Sequence, residues 1–223
     1  NDMEVSLMKA TNSSIRAKAR EALGGNIFGR TWIMSLVAVG VITLVINLAS
    51  QISCGIGTFL VTGPLYVGLH IAFLKLAKGE KDMEIGSVFD GFHNFGSNMV
   101  LCVMYTVHVM LWSLLFIIPG IVKSYSYSLI YYIKADHPEY GWRECLDESE
   151  KMMQGNKWRL FCLNFSFIGW ILVGSLICGI GALWVSPYMQ ASTAVFYEEL
   201  KREQGYYAEP DFGYSRAGRG YVC

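Results

Sequence analysis

Lys123, His70 and His108 are the side chains best placed by type and surroundings to do chemistry, because each stands inside or beside a long apolar stretch. A cation near hydrocarbon is costly and finds a partner, a cavity or the interface. For Lys123 the chemistry would be contact with an ion or substrate, weighed against snorkelling of its ammonium to a nearby membrane surface. Two imidazoles facing one cavity bind a metal or relay protons. The plainer role is hydrogen bonding between helices, which Asn47, Asn164 and Ser166 also suit. No other His, Cys or carboxylate stands at helical ligand spacing from either histidine, so no metal is expected. Asn156, Lys157, Trp158 and Arg159 form a basic aromatic cluster at the start of another apolar run. That composition suits anionic lipid headgroups, with Asn156, Lys157 and Arg159 as the contacts.

Enzymatic signatures are missing. The chain contains no HExxH, GxSxG, Walker loop or dinucleotide fingerprint, and no nucleophile-base arrangement. Asp136, Glu148, Glu198 and Glu199 stand at the edges of apolar runs, where charge is cheap. The expectation is therefore no catalytic residue and no cofactor. Cys-Gly-Ile-Gly at 54–57 and 178–181 lacks the basic residue of a phosphate cradle and reads as a tight turn. The six cysteines, Cys54, Cys102, Cys145, Cys162, Cys178 and Cys223, form no CxxC pair and read as small membrane or core residues. A formal net charge of zero gives no reason to expect a nucleic-acid partner.

The elements that must carry these residues follow from the distribution of charge. Thr31 to Leu74 and Leu160 to Tyr197 contain no Asp, Glu, Lys or Arg over 44 and 38 residues. A helix needs about 20 apolar residues to cross a hydrocarbon core of roughly 30 Å, so each run is two spans long. The first divides at Gln51–Gly55 into Trp32–Ser50 and Gly57–Leu74, the last at Cys178–Gly181 into Leu160–Ile177 and Ala182–Leu200. The first span lies behind some thirty polar residues and is too long for a secretory signal, so it reads as an anchor. The middle block, uncharged from Gly91 to Val122, is resolved by parity. Spans at Met99–Ile118 and Ile121–Ala135, turning at Pro119–Gly120, keep Lys134, Arg143, Lys151, Lys157 and Arg159 on the side of Lys9, Arg16, Lys18, Arg20 and Arg30. Seventeen of the eighteen Lys and Arg residues then share the cytoplasmic side, and Lys123 falls near the outer one.

The sequence thus predicts an all-α membrane protein of about six transmembrane helices, arranged as three hairpins with amphipathic cytoplasmic connectors. Residues 1–30 form a cytoplasmic amphipathic segment, 31–202 the polytopic domain and 203–223 a flexible cytoplasmic tail. Trp142, Cys145, Leu146, Ser149, Met152 and Met153 share one face of a connector that lies along the interface. Ile15–Leu23 and Val88, Phe89, Phe92 and Phe95 are expected to do the same. An internal repeat supports the hairpins: Cys54-Gly55-Ile56-Gly57 with Val61 and Pro64 reappears as Cys178-Gly179-Ile180-Gly181 with Val185 and Pro187. Leu23-Gly24-Gly25-Asn26 is echoed in Met153-Gln154-Gly155-Asn156. The repeat leads us to expect Cys54 and Cys178 at equivalent outer positions.

Lys123-Ser124-Tyr125-Ser126-Tyr127, Ala135-Asp136-His137-Pro138, Met153 to Lys157, Ser166 to Trp170, Gly179-Ile180-Gly181, Pro187-Tyr188 and Phe196-Tyr197 together resemble the bacterial domain of unknown function 975 family. Ala17 to Leu23 is similar to that family's amino-terminal motif. The resemblance covers about residues 10 to 200. It implies a multi-pass protein of the bacterial plasma membrane from a Gram-positive lineage, for which the charge parity expects both termini to be cytoplasmic. It implies no substrate, cofactor or catalytic residue. A looser likeness to membrane domains accompanying some glycerophosphodiester phosphodiesterases hints at lipid-related work. The leading expectation is a non-enzymatic integral membrane protein, in envelope or lipid homeostasis or as an accessory of a membrane assembly. Its partners would be the lipid bilayer, an anionic lipid and a membrane protein. The alternative is a small-solute or lipid transporter, and the third a membrane enzyme.

Overall fold

Both uncharged runs fold as helix pairs, each pair separated by three residues, 53–55 and 177–179, outside the described ones. The computed structural model describes residues 11–25, 29–52, 56–80, 85–115, 117–176 and 180–205. Helix α1 spans Asn12–Ala22, α2 Arg30–Ile52, α3 Ile56–Ala77, α4 Phe95–Leu115, α5 Ile117–Ser126, α6 Ile130–Asp136, α7 Trp142–Met152, α8 Lys157–Leu176 and α9 Ile180–Glu203. A 3-10 segment at Ile85–Phe92 joins α3 to α4. Among the described residues there is no strand, and the class is all-α.

The amphipathic pattern decides which faces pack. In α1, capped by the Thr11 hydroxyl, Ile15 and Ala19 are buried; in α7, Cys145, Leu146, Ser149 and Met152 are. These are the faces expected from the sequence, but protein covers them: α1 packs on α9 and α3, and α7 on α6 and α4. Both helices then stop at a glycine with positive φ, Gly25 at 70° and Gly155 at 74°, a conformation open to glycine at no steric cost. The weaker half of the internal repeat therefore has a structural meaning, an amphipathic helix and a left-handed turn ahead of each apolar pair. Pro64 and Pro187 fall inside α3 and α9. Cys54 and Cys178 lie outside the described residues.

Helix α3 is the centre, in contact with α2, α4, α6, α9 and the 3-10 segment. The last of these approaches it backbone to backbone. A Cβ added to Gly68 would stand 1.8 Å from the Val88 carbonyl oxygen, and one on Gly91 2.0 Å from that of Pro64. Hence Val88 is buried against α3, while Phe89, Phe92 and Phe95 stay exposed in a stacked row.

The middle block departs from expectation in two places. Helices α4 and α5 are divided at residue 116, outside the described residues, and Pro119-Gly120 lies inside α5. Proline is tolerated there because first-turn N–H groups have no intrahelical partner. Gly120 serves close approach instead, since a Cβ would meet the Ser113 hydroxyl at 2.4 Å. The second half of the expected hairpin is also broken, at Tyr127–Leu129 between α5 and α6. Ser149 of α7 bridges the break: its hydroxyl donates to the Ser126 carbonyl (2.8 Å) and accepts from the Leu129 amide (3.3 Å). That satisfies backbone groups a helix interruption leaves open. At the other end of the chain, Glu203 belongs to α9 rather than to a tail. Among the described residues two stretches, Arg30–Leu48 and Phe95–Leu114, are long and apolar enough to cross a membrane.

Candidate functional site

The last two turns of α9, Phe196 to Glu203, alternate buried aromatic and aliphatic residues with charged ones. Four neighbouring helices contribute charged groups that meet it. Asp136, at the end of α6, accepts from Lys78 Nζ just beyond α3 (2.6 Å), from Lys201 of α9, and from the Tyr197 hydroxyl (3.3 Å). The carboxylate of Glu198, itself buried, stands 3.9 Å from Lys78. Lys18 of α1 reaches Glu199 at 2.5 Å, and Arg202 approaches the same carboxylate at 3.4 Å. Arg159 of α8 makes two hydrogen bonds to Glu203, at 2.7 and 2.9 Å, and a third to Asn156 (3.0 Å). One helix end thereby ties α1, α3, α6 and α8 together.

Electrostatics make Asp136 the keystone. Burial by itself would raise its carboxyl pKa, but the hydrogen bonds and charges of Lys201 and Lys78 outweigh that, and the net shift is downward. At neutral pH it is an ionised acceptor and no proton donor. Beside this lattice, between α1, the end of α3 and α9, lies a cavity of about 600 Å³ with Lys18, Glu21, Lys78, Glu198 and Arg202 on its walls. The arrangement suits holding helices and receiving a polar group more than activating a nucleophile. Among the described residues no three His, Cys, Asp or Glu side chains converge as a metal site.

The residues singled out from the sequence are dispersed. Lys123 is no lone cation at an outer surface: its Nζ donates to Glu150 Oε1 (2.6 Å) and lies over the rings of Trp112 and Tyr127, at 5.2 and 5.4 Å. Glu150 belongs to α7, which charge parity puts on the opposite side of a bilayer from Lys123; the ion pair brings the two residues together, so they do not lie on opposite sides. His70 donates from Nδ1 to the Tyr66 carbonyl (2.6 Å) and is packed by Tyr131 and Tyr132, the latter ring at 4.3 Å. His108 bonds the Met104 carbonyl (2.8 Å) and meets Tyr127 and Trp142. The two imidazoles thus sit in separate aromatic cages. Asn47 and Ser166 bond carbonyls of their own helices, Thr43 and Leu163, rather than a neighbouring helix, and Asn164 is half-buried on α8. Of the expected headgroup contacts, Asn156 is buried and Arg159 is held by Glu203; Lys157 is half-buried, and Trp158 is exposed.

By type and position alone, Asp136, Lys78 and Lys201 are charges at the edges of apolar runs, with nothing local to pair them. One signal was available: Lys78 follows Pro64 by fourteen residues, and Lys201 follows Pro187 by fourteen. The repeat thus places equivalent lysines at the ends of α3 and α9. A family model described as protein of unknown function (DUF975) matches residues 8–126 and 114–204. No curated protein and no solved structure matches the chain.

Proposed function

The chain belongs to the DUF975 family, and on that premise we propose that it is a non-enzymatic, multi-pass protein of the bacterial plasma membrane with both termini cytoplasmic. Its work would be in envelope or lipid homeostasis, as an accessory to a membrane assembly. The observation that carries the membrane reading is where the apolar surface lies. Of the two stretches long enough to cross, only 28% of Arg30–Leu48 and 17% of Phe95–Leu114 is buried. A core helix of a water-soluble protein would be mostly covered. Here Ile33, Val37, Val41, Leu44 and Leu48 form an exposed stripe along α2, which lipid is suited to cover. On this reading the ion-pair lattice at the ends of α3, α6 and α9 would lie at the cytoplasmic face.

The accessory reading is supported by the dispersal of Lys123, His70 and His108, each held by protein groups away from a common path. The second reading, a carrier of a small solute or lipid, draws on the charged cavity. Alkaline carbonate extraction tests the shared premise, with the protein expected in the pellet; release into the supernatant would end both readings. Liposomes carrying the purified protein separate them. No flux of dye, ion or labelled lipid is expected, and flux abolished by Lys78→Met or Arg202→Met would put the carrier first.

A further inference from the structure

The hairpin of α4 and α5 carries four of the five most exposed large apolar side chains among the described residues: Met110, Leu111, Leu114 and Ile118 are 65 to 80% exposed, with Trp158 of α8 the fifth. A crossing hairpin would place this tip on the far side of the bilayer from the charged face. Its ion pair forbids that. Lys123 Nζ is 2.6 Å from Glu150 and 5.2 Å from the centre of the Trp112 ring. Trp112 stands three residues before the end of α4, about 5 Å along the axis, so the ion pair lies within roughly 15 Å of the tip. Glu150 is on α7, whose Arg143, Glu144, Asp147 and Lys151 are exposed and require water. The hydrocarbon core is about 30 Å thick, twice that reach. Contact between Trp142 at the start of α7 and His108 in the second half of α4, 5.9 Å between rings, keeps α4 alongside α7 and therefore oblique.

Resting on the membrane reading above, we infer that α4 and α5 form a re-entrant hairpin, which enters the bilayer from the charged side, turns inside it and takes the acyl chains of one leaflet against its exposed tip. The chain then crosses four times, by α2, α3, α8 and α9. Both termini keep their side, and Lys123 joins the other cations. Charge parity is the same for a hairpin that crosses twice and one that crosses not at all, so parity excludes a single crossing of the middle block but does not choose between six spans and four.

The test uses the full chain with its native cysteines replaced, carrying Gln51→Cys, Leu114→Cys or Ile118→Cys singly. In intact cells a membrane-impermeant maleimide is expected to label Gln51→Cys, at the outer end of α2, and neither of the others. In vesicles of phosphatidylcholine and phosphatidylglycerol, a bimane on Ile118→Cys should be quenched at least twice as strongly by lipids with nitroxide mid-chain as by headgroup nitroxide. Outside labelling of Ile118→Cys as fast as Gln51→Cys would overturn the re-entrant hairpin and leave the membrane reading intact. An unlabelled Ile118→Cys whose bimane no lipid quenches would mean that protein covers the tip, and would overturn the lipid assignment. Recovery of the chain in the soluble fraction, with Gln51→Cys unlabelled in cells, would instead end the membrane reading.

Discussion

Asp136 holds two ammonium groups with one carboxylate, so its removal leaves both without their nearest counter-charge. Breaking a buried ion pair by deleting one partner costs about 3–5 kcal/mol, and the partial exposure of Lys78 places this case near the lower end. Asp136→Asn is therefore expected to lose about 3 kcal/mol, measured by thermal or denaturant unfolding in detergent. The pH dependence has a definite sign. With a folded-state pKa below the ordinary 3.8, the carboxylate stabilises the fold at neutral pH and down to about pH 4, and that contribution disappears as pH falls through the folded value. The stability gap between wild type and Asp136→Asn should stay constant from pH 7 to about 5 and close below 4. A gap that widens on acidification would remove Asp136 from its role. Cys145 illustrates the opposite environment. Burial on α7 raises its thiol to about 11 despite nearby Lys134, so maleimide at pH 7.5 should leave it unmodified until the protein is unfolded, as read by mass spectrometry.

Helix contacts depend as much on missing side chains as on present ones. Gly68 and Gly91 let the 3-10 segment lie backbone to backbone on α3, and the atoms an added Cβ would meet are carbonyl groups that cannot rotate away. Gly68→Ala should therefore exceed the usual overpacking cost of about 1–3 kcal/mol. Gly169→Ala on α8, where nothing lies within 4 Å, should leave the unfolding midpoint unchanged or slightly raised. Much of this scale was legible in the sequence. The limits of α2, α3, α8 and α9 follow from charge-free length, the amphipathic character of α1 and the buried face of α7 from helical spacing. The 3-10 segment was not legible, because aromatic residues at Phe89, Phe92 and Phe95 read as one face of an α-helix. The break at Tyr127–Leu129 was hidden too, since its backbone groups are satisfied by Ser149, twenty residues later.

At the scale of the whole molecule, the repeat becomes a clasp. Helices α1 to α3 and α7 to α9 follow one plan, an amphipathic helix, a glycine turn and two long apolar helices, the second containing proline with a lysine in its last turn or just beyond it. The middle block stands between them, and its last residue, Asp136, takes the lysine of each. The sequence disclosed the repeat but not its meeting point, because Asp136 belongs to neither copy. If the clasp is one unit, its members must behave non-additively. Lys78→Met and Lys201→Met should each lose stability, with a coupling between them of about 0.5–3 kcal/mol, as for residues sharing one partner. The decisive variant is Lys78→Met/Asp136→Leu/Lys201→Met. Exchanging a whole buried ionic cluster for apolar groups is often neutral or stabilising, whereas removing one member is not. The triple variant should therefore unfold at a higher temperature than Asp136→Asn, despite carrying more substitutions. Strict additivity of all three changes would show that the two lysines hold their helices independently, and that the repeat meets at no common point.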